Sequence, residues 1–251
     1  MTPKEYIRKI IDEKKSPNLS YYDPRLTDIK KVIRKWADTR LSQIKLSGSC
    51  VKKTAIQGKS DCDLFISLKS DTKETLKELY YSLNDAVKAE GYTTREQNVS
   101  IGIQANGLKI DLVPAKIQAG KRNFHSLYLR RRDSWLKTNI DIHINKILAS
   151  GRQEEIMALK IWRELNALKF PSVYLEMVIL EALKNKNKNQ PAKNFLSILE
   201  YLSSSFLDKK IDDPSNTNNC ISDMIFKYQK EEIVRKAKAS LEHGDWENII
   251  W

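Results

Sequence analysis

Hydrophobic and polar positions change period several times along the chain, and each change predicts an element. Thr2 and Glu5 form a capping-box pattern, and the isoleucines that follow recur at helical spacing, which predicts a first helix. Asp23-Pro24 repeats the start signal, so a second helix is expected to run to about Gln43. The elements predicted next are a strand over residues 44–47, a short helix from about Ser49, a strand from Asp61, a helix over residues 72–90, a hairpin turning at Asn106-Gly107 and a strand over residues 126–129.

Helical periodicity dominates from about Asp141 onward. The predicted helices cover residues 142–149, 154–167, 172–184, 192–203 and 223–242. The expected fold class is therefore α/β in the broad sense (α+β), because a lobe with a mixed sheet precedes a helical one. We place the first lobe, including the N-terminal helices, at residues 1–138 and the C-terminal helical lobe at residues 139–251.

Composition sets the broad class of protein. The 251 residues are 41% hydrophobic and 30% charged, which is typical of a globular chain that can bury a core. No apolar run approaches the length of a membrane span, and the N-terminus lacks a signal-peptide core. The 3 cysteines and 3 histidines show no metal-ligand spacing. We therefore expect a cytoplasmic protein with no disulfides and no membrane partner.

The formal net charge of +12 favours anionic partners. Seven basic residues and one acid lie between Lys116 and Lys137, and His125, Tyr128 and Trp135 are interspersed with them as candidate stacking surfaces. Nucleoside triphosphates, a nucleic-acid activator or acceptor, and a solvated basic loop all fit this segment. Charge alone does not choose among them.

The candidate chemistry begins at Asp61 and Asp63, which follow Ser49 by 12 and 14 residues. Residues two apart on a strand point to one face, so these carboxylates share a face with Phe65 while the alternate apolar residues share the other. Neighbouring carboxylates repel each other unless a cation lies between them, and oxygen ligands of this kind suit Mg²⁺.

Asp111 is a third candidate, because it interrupts the apolar second strand of the hairpin at Asn106-Gly107. An unpaired carboxylate in such a strand is costly to bury. If the hairpin pairs beside the strand from Asp61, three carboxylates converge, which is the arrangement that two-metal phosphoryl transfer requires. The alternative is an Asp on the solvent face of an edge strand.

These acids lie within a longer pattern. The segment GSCVKKTAIQGKSDCDL, residues 48–64, resembles the signature of the polymerase-β-type nucleotidyltransferases, in the branch that holds the bacterial cyclic-oligonucleotide synthases (CD-NTase-like proteins), oligoadenylate synthases and archaeal-type CCA-adding enzymes. The segments ALKIWRE, FPSVYLEMVILEAL and IDDPSNTNN extend the resemblance to roughly residues 20–225. Lys53 stands where that family usually has glycine.

The resemblance implies a polymerase-β-like nucleotidyltransferase lobe followed by a helical nucleotide-binding lobe. It implies that the catalytic residues are Asp61, Asp63 and Asp111, and that these hold two Mg²⁺ (or Mn²⁺) ions. Its nucleotide-binding positions fall on Gly48, Ser49, Thr54, Lys160, Ser172 and Tyr174. Among these, Lys160 and Ser172 are expected at the triphosphate and Tyr174 at the base.

Three functions fit the sequence. The first is an enzyme that joins nucleoside triphosphates into a short cyclic or linear oligonucleotide signal with release of pyrophosphate, in bacterial antiphage defence and with an effector protein downstream. The second is template-independent addition of nucleotides to the 3′ end of tRNA or another RNA, for which the chain leaves little room to grip tRNA. The third is an inactive nucleic-acid-binding or antitoxin-like partner, against which the three acids argue. We expect the first.

Overall fold

The structure is a computed structural model that describes residues 1–251, except for the side chain of Arg122. Its helices are α1 (Pro3–Lys14), α2 (Thr27–Ala37), α3 (Gly48–Lys52), α4 (Leu76–Ala89), α5 (Ile140–Ser150), α6 (Gln153–Leu165), α7 (Ser172–Ala182), α8 (Pro191–Ser204) and α9 (Lys227–Glu242). Its strands are β1 (Leu41–Ser47), β2 (Cys62–Leu68), β3 (Thr94–Glu96), β4 (Ile101–Ala105), β5 (Leu108–Gln118), β6 (Lys121–Leu129), β7 (Ser134–Thr138), β8 (Asp212–Asp213) and β9 (Asn216–Cys220).

The chain divides into two compact units. We call them the sheet unit, which comprises Pro17–Lys53 and Gly58–Ile144, and the helical unit, which comprises Met1–Ser16, Thr54–Gln57 and Asn145–Trp251. The expected fold class is confirmed, since one unit holds a mixed sheet and the other is mainly helical.

The sheet has the strand order β1-β2-β5-β4-β3, with β6 paired to β5 and β7 to β6. Strands β2 and β5 run parallel, and the other pairs are antiparallel. On one face, alternate apolar residues of β2 and β5 form a buried core with helices α2 and α4. On the other face Phe65 and Val113 belong to a smaller buried cluster. The alternation predicted along β2 therefore separates the two faces, although Phe65 on the face of the acids is also buried.

Several boundaries differ from the prediction for local reasons. Helix α2 ends at Ala37 rather than near Gln43, because Asp38 takes a positive φ of 45° and turns the chain into β1. The hairpin at Asn106-Gly107 is present, with φ of 49° and 74° as a type I′ turn requires. Strands β3 and β7 were not predicted, because neither shows the run of alternating apolar residues that identifies a strand.

The helical unit is built around one extensive apolar cluster. The predicted capping box of Thr2 and Glu5 starts α1, whose isoleucines pack into this cluster, so the first helix belongs to the helical unit rather than to the sheet unit. Helix α6 is buried continuously from Glu155 to Trp162. Among the described residues no helix is both long and apolar enough to cross a membrane.

Candidate functional site

Asp63 and Asp111 are register partners on the parallel strands β2 and β5. Side chains of register partners leave a sheet on the same side, so the two carboxylates face the same space. Asp61 lies just before β2, two residues from Asp63, and lines the same cleft as Asp111. The three acids predicted from the sequence therefore lie at one end of two neighbouring strands.

Gly48 places the start of α3 directly against Asp63. Ser47, the last residue of β1, is the register partner of Asp63, and the chain turns into α3 at Gly48 with φ +66°. A Cβ atom at position 48 would overlap Oδ2 of Asp63 and lie 2.7 Å from its Cγ. Only glycine lets the backbone approach the carboxylate this closely. Ser49, the next residue, is half-buried.

Asp111 has two hydrogen-bond donors from the loop between β3 and β4. Gln97 Nε2 donates to Oδ1 at 2.6 Å, and Ser100 Oγ donates to Oδ2 at 3.4 Å. Burial raises the pKa of Asp111 above its usual range, and the negative charge of Asp61 raises it further. Arg95 and the two donors act in the opposite direction.

Arg95 completes a row of residues across four strands. Register pairs join Asp63 to Asp111, Asp111 to Gly102 and Gly102 to Arg95. The guanidinium lies 3.7 Å from Oδ2 of Asp61, and the Arg95 side chain is 70% exposed. A cleft of ≈ 520 Å³ follows this row, and its lining includes Asp61, Asp111, Arg95, Lys59 and Lys109. Sequence patterns did not indicate Arg95, Gln97, Ser100 or Gly102.

The donor set fits a divalent cation. Asp61, Asp63 and Asp111 supply hard carboxylate oxygens, and Asp61 and Asp111 line the same cleft, where like charges repel each other. In the described part of the chain, no group of three or more His, Cys, Asp or Glu residues is arranged to hold a metal ion without further ligands or movement. The chemistry of the three carboxylates still suits Mg²⁺, which usually completes its shell with water and substrate phosphates.

Lys160 and Thr54 lie inside the helical unit rather than at its surface. Lys160 is 2% exposed, and its Nζ donates to Thr54 Oγ1 at 3.0 Å and to the Thr54 carbonyl at 3.2 Å. It also pairs with Oε1 of Glu176 at 3.4 Å. Direct contact of either side chain with a nucleotide stays a prediction that their burial does not favour. Lys160 therefore connects α6 to Glu176 on α7 and to the segment that begins at Thr54.

Tyr174 is likewise a core residue. Its ring stacks on Phe206 and meets Phe170 edge-on, with no exposed surface. Base stacking by Tyr174 therefore also stays a prediction that its burial does not favour. Ser172 is exposed at the start of α7, and its hydroxyl accepts a hydrogen bond of 3.1 Å from Arg163 Nη1. Arg163, which the sequence analysis did not single out, is thus the cation beside Ser172.

The basic segment between Lys116 and Lys137 lies along β5, β6 and β7. Of the three rings that the sequence indicated as stacking surfaces, only Trp135 is exposed, at 58%. His125 and Tyr128 are buried, so the expectation that they form stacking surfaces is corrected: His125 contacts Ser67 and Phe65, and Tyr128 packs on the rings of α4. The side chain of Arg122 lies outside the described residues.

Comparison with known proteins gives three findings. No protein-family model matches the chain. The cyclic AMP-AMP-AMP synthase of Escherichia coli (strain MS 115-1) is 24% identical over 168 residues, which cover 59% of this chain and 52% of that protein. The chain thus spans about half the length of the curated relative that it matches.

Solved structures resemble the whole chain. CdnC of Escherichia coli MS115-1 with ATP has a TM-score of 0.76 at 20% identity, covering 98% of this chain and 96% of that chain. CdnC has also been solved in a complex with HORMA-deltaN. The Cid1 poly(U) polymerase has a TM-score of 0.67 at 10% identity, covering 97% of this chain and 95% of that chain. The chain therefore has the fold of the CD-NTases and related nucleotidyltransferases, and the resemblance seen in the sequence is confirmed at the level of the fold.

Proposed function

We propose that this protein is a metal-dependent nucleotidyltransferase that joins nucleoside triphosphates into a short cyclic or linear oligonucleotide signal and releases pyrophosphate. The observation that carries the proposal is the register pairing of Asp63 and Asp111 on one face, with Asp61 and Gly48 beside them. A catalytically silent binding protein has no need of carboxylates held together at this cost. The matched synthase supports an oligonucleotide product.

Different residues of the sheet unit would bind the metal ions and the donor triphosphate. Asp61, Asp63 and Asp111 would hold two Mg²⁺ (or Mn²⁺) ions, which would supply charge neutralisation and activation of the attacking hydroxyl. Gly48 brings backbone close to Asp63, and Ser49 follows it, so this turn is the proposed binding place of the donor triphosphate.

Other residues hold the proposed ligands in position. Gln97 and Ser100 fix the orientation of Asp111. In the helical unit, Lys160 fixes Thr54, while Ser172 is exposed and accessible to a phosphate beside the largely buried Arg163. Under this proposal Thr54, Lys160 and Tyr174 act on nucleotides through the residues that they support.

The biological setting is part of the same proposal. The complex of CdnC with HORMA-deltaN supports a protein partner, and the net charge of +12 supports a nucleic-acid activator. A role in bacterial antiphage defence, a cytoplasmic location and a downstream effector that binds the oligonucleotide complete the hypothesis.

Addition of nucleotides to an RNA 3′ end is the second candidate, because the Cid1 poly(U) polymerase has the same fold. The two functions differ in their acceptor. A terminal transferase must hold a long polyanion, so its activity should require added RNA and fall steeply with salt. A signal synthase uses one nucleotide as the acceptor of another.

The test is incubation of the purified protein with mixed ribo- and deoxynucleoside triphosphates and Mg²⁺ or Mn²⁺, with and without labelled RNA, and identification of products by mass. Asp63→Asn should abolish incorporation, whereas Asp85→Asn, an exposed acid on α4, should leave it unchanged. Products a few nucleotides long, formed without RNA, are expected. Label found only on the 3′ end of added RNA would replace the first function by the second, and full activity of Asp63→Asn would reject the metal-dependent mechanism.

A further inference from the structure

The cleft beside Asp111 contains cations to which the proposed reaction assigns no role. Its lining combines Asp61 and Asp111 with three cations, Lys59, Arg95 and Lys109. These side chains belong to the segment before β2, to β3 and to β5. A cleft that places three cations beside proposed metal ligands is suited to an anion that also approaches those ligands.

Gly102 leaves space for the Arg95 side chain beside Asp111. It lies between Asp111 and Arg95 in the row of register partners, and it contributes no side chain to that face. A Cβ atom at position 102 would lie 2.8 Å from Gln97 Nε2, 3.2 Å from Asp111 Oδ1 and 3.3 Å from Arg95 Nε. The amide, carboxylate and guanidinium therefore meet in the space above Gly102.

The cleft and the turn at Gly48 lie on opposite sides of the paired carboxylates. Gly48 and Ser49 lie on the β1 side of Asp63, whereas Gly102 and Arg95 lie on the β4 and β3 side of Asp111. In nucleotidyl transfer the attacking oxygen and the leaving oxygen are roughly in line, on opposite sides of the transferred phosphorus. If the leaving pyrophosphate is at Gly48 and Ser49, the attacking nucleotide approaches from the side of Arg95.

We propose that Arg95, together with Lys59 and Lys109, binds a phosphate group of the acceptor nucleotide in this cleft. The inference rests on the proposed function, and it adds that the enzyme prefers a phosphorylated acceptor to a free nucleoside. Arg95 presents a planar fork of donors that suits phosphate oxygens, and its exposed side chain is accessible to a ligand.

The test compares adenosine with AMP as acceptors, because they differ only in the 5′-phosphate. Labelled 2′,3′-dideoxyadenosine triphosphate serves as the donor, since it cannot act as an acceptor. The wild-type protein should have a KM for AMP at least about tenfold below that for adenosine. Arg95→Gln should raise the KM for AMP about 10- to 100-fold, the loss of a charged hydrogen bond, and leave the KM for adenosine unchanged. Arg34→Gln, on α2, is the matched control.

Gly102→Ala tests the same site without removing a charge. Its Cβ must displace Arg95 or Gln97, so discrimination between AMP and adenosine should decrease, whereas Gly244→Ala, whose Cβ meets no atom within 4 Å, should behave as wild type. If Arg95→Gln lowers kcat equally with both acceptors, Arg95 acts only through Asp61 and the proposal is overturned.

Calorimetry of AMP with metal-free protein separates this inference from the proposed function. Binding that Arg95→Gln weakens about 10- to 100-fold, in a protein that transfers no nucleotide, supports the phosphate site and rejects the transferase. Nucleotide transfer with AMP binding unaffected by Arg95→Gln supports the transferase and rejects the phosphate site.

Discussion

Lys160→Met is the substitution that best separates a structural lysine from a nucleotide-binding one. The Lys160 ammonium and the Glu176 carboxylate are 2% and 1% exposed, and 3.4 Å separates them. Removal of one partner takes away the ion pair that compensates the other buried charge, which typically costs about 3–5 kcal/mol. For a chain of this length each kcal/mol lowers Tm by about 2–4 °C, so a decrease of about 6–20 °C is expected.

A second substitution tests whether the loss of stability in Lys160→Met comes from the Glu176 charge, which no longer has its ion pair with Lys160. Because a buried ion pair can often be replaced by apolar residues of similar volume at little cost, Lys160→Met with Glu176→Leu should recover much of the loss. The matched control is the exposed pair of Lys227 and Glu231, separated by 4.0 Å, for which Lys227→Met should cost less than about 1 kcal/mol.

The assay is thermal and urea unfolding of the wild-type protein and the three variants, with nucleotide affinity measured by calorimetry at a temperature where all remain folded. The structural role predicts a large change in stability and recovery in the double variant. If Lys160→Met unfolds within about 2 °C of wild type while nucleotide affinity falls tenfold or more, the reasoning from burial is refuted. The direct triphosphate contact expected from the sequence resemblance would then take its place.

Two further predictions concern the carboxylate site. Gly48→Ala should abolish nucleotide incorporation, because its Cβ would overlap the Asp63 carboxylate, whereas Gly120→Ala, which has a similar φ of +72° but no atom within 4 Å of its Cβ, should stay active in the same assay. Asp111→Asn should have a higher Tm than the metal-free wild-type protein at pH 7. The raised pKa of Asp111 means that the fold favours the neutral acid, so the wild-type protein is stabilised at low pH and loses this stabilisation as pH rises through that pKa. The difference should shrink as pH falls through that pKa, because the wild-type carboxyl then becomes neutral as well, and a difference that does not change with pH would contradict the cause.

The positions of the acids could be predicted because they follow from local rules. The alternation along β2 determines the face of Asp63, and the Asn106-Gly107 turn determines the register that places Asp111 beside Gly102. At Lys53 the backbone conformation could be inferred from the family pattern although the residue type differs. It replaces a family glycine, and the backbone still has the left-handed φ of 59° that favours glycine.

Arg95 and Lys160 could not be placed in the same way. Strand β3 is only three residues long and contains no apolar alternation, so its pairing with β4 depends on the packing of the whole sheet. Lys160 lies in a helix that is buried through eight consecutive residues, and its partner Glu176 is on another buried helix. Sequence periodicity does not show which buried charges will meet across two helices.

Two glycines explain why the acids form a site rather than two isolated charges. Gly48 lies against the carboxylate of Asp63 and Gly102 against that of Asp111, so neither of these two positions puts a side chain of its own against the acid. Because Asp63 and Asp111 are register partners, a shift of either strand by one residue would move its acid to the opposite face, which is buried by α2 and α4. The cost of burying a carboxylate there excludes the shifted register. The same apolar core that stabilises the sheet therefore also specifies where the proposed reaction takes place.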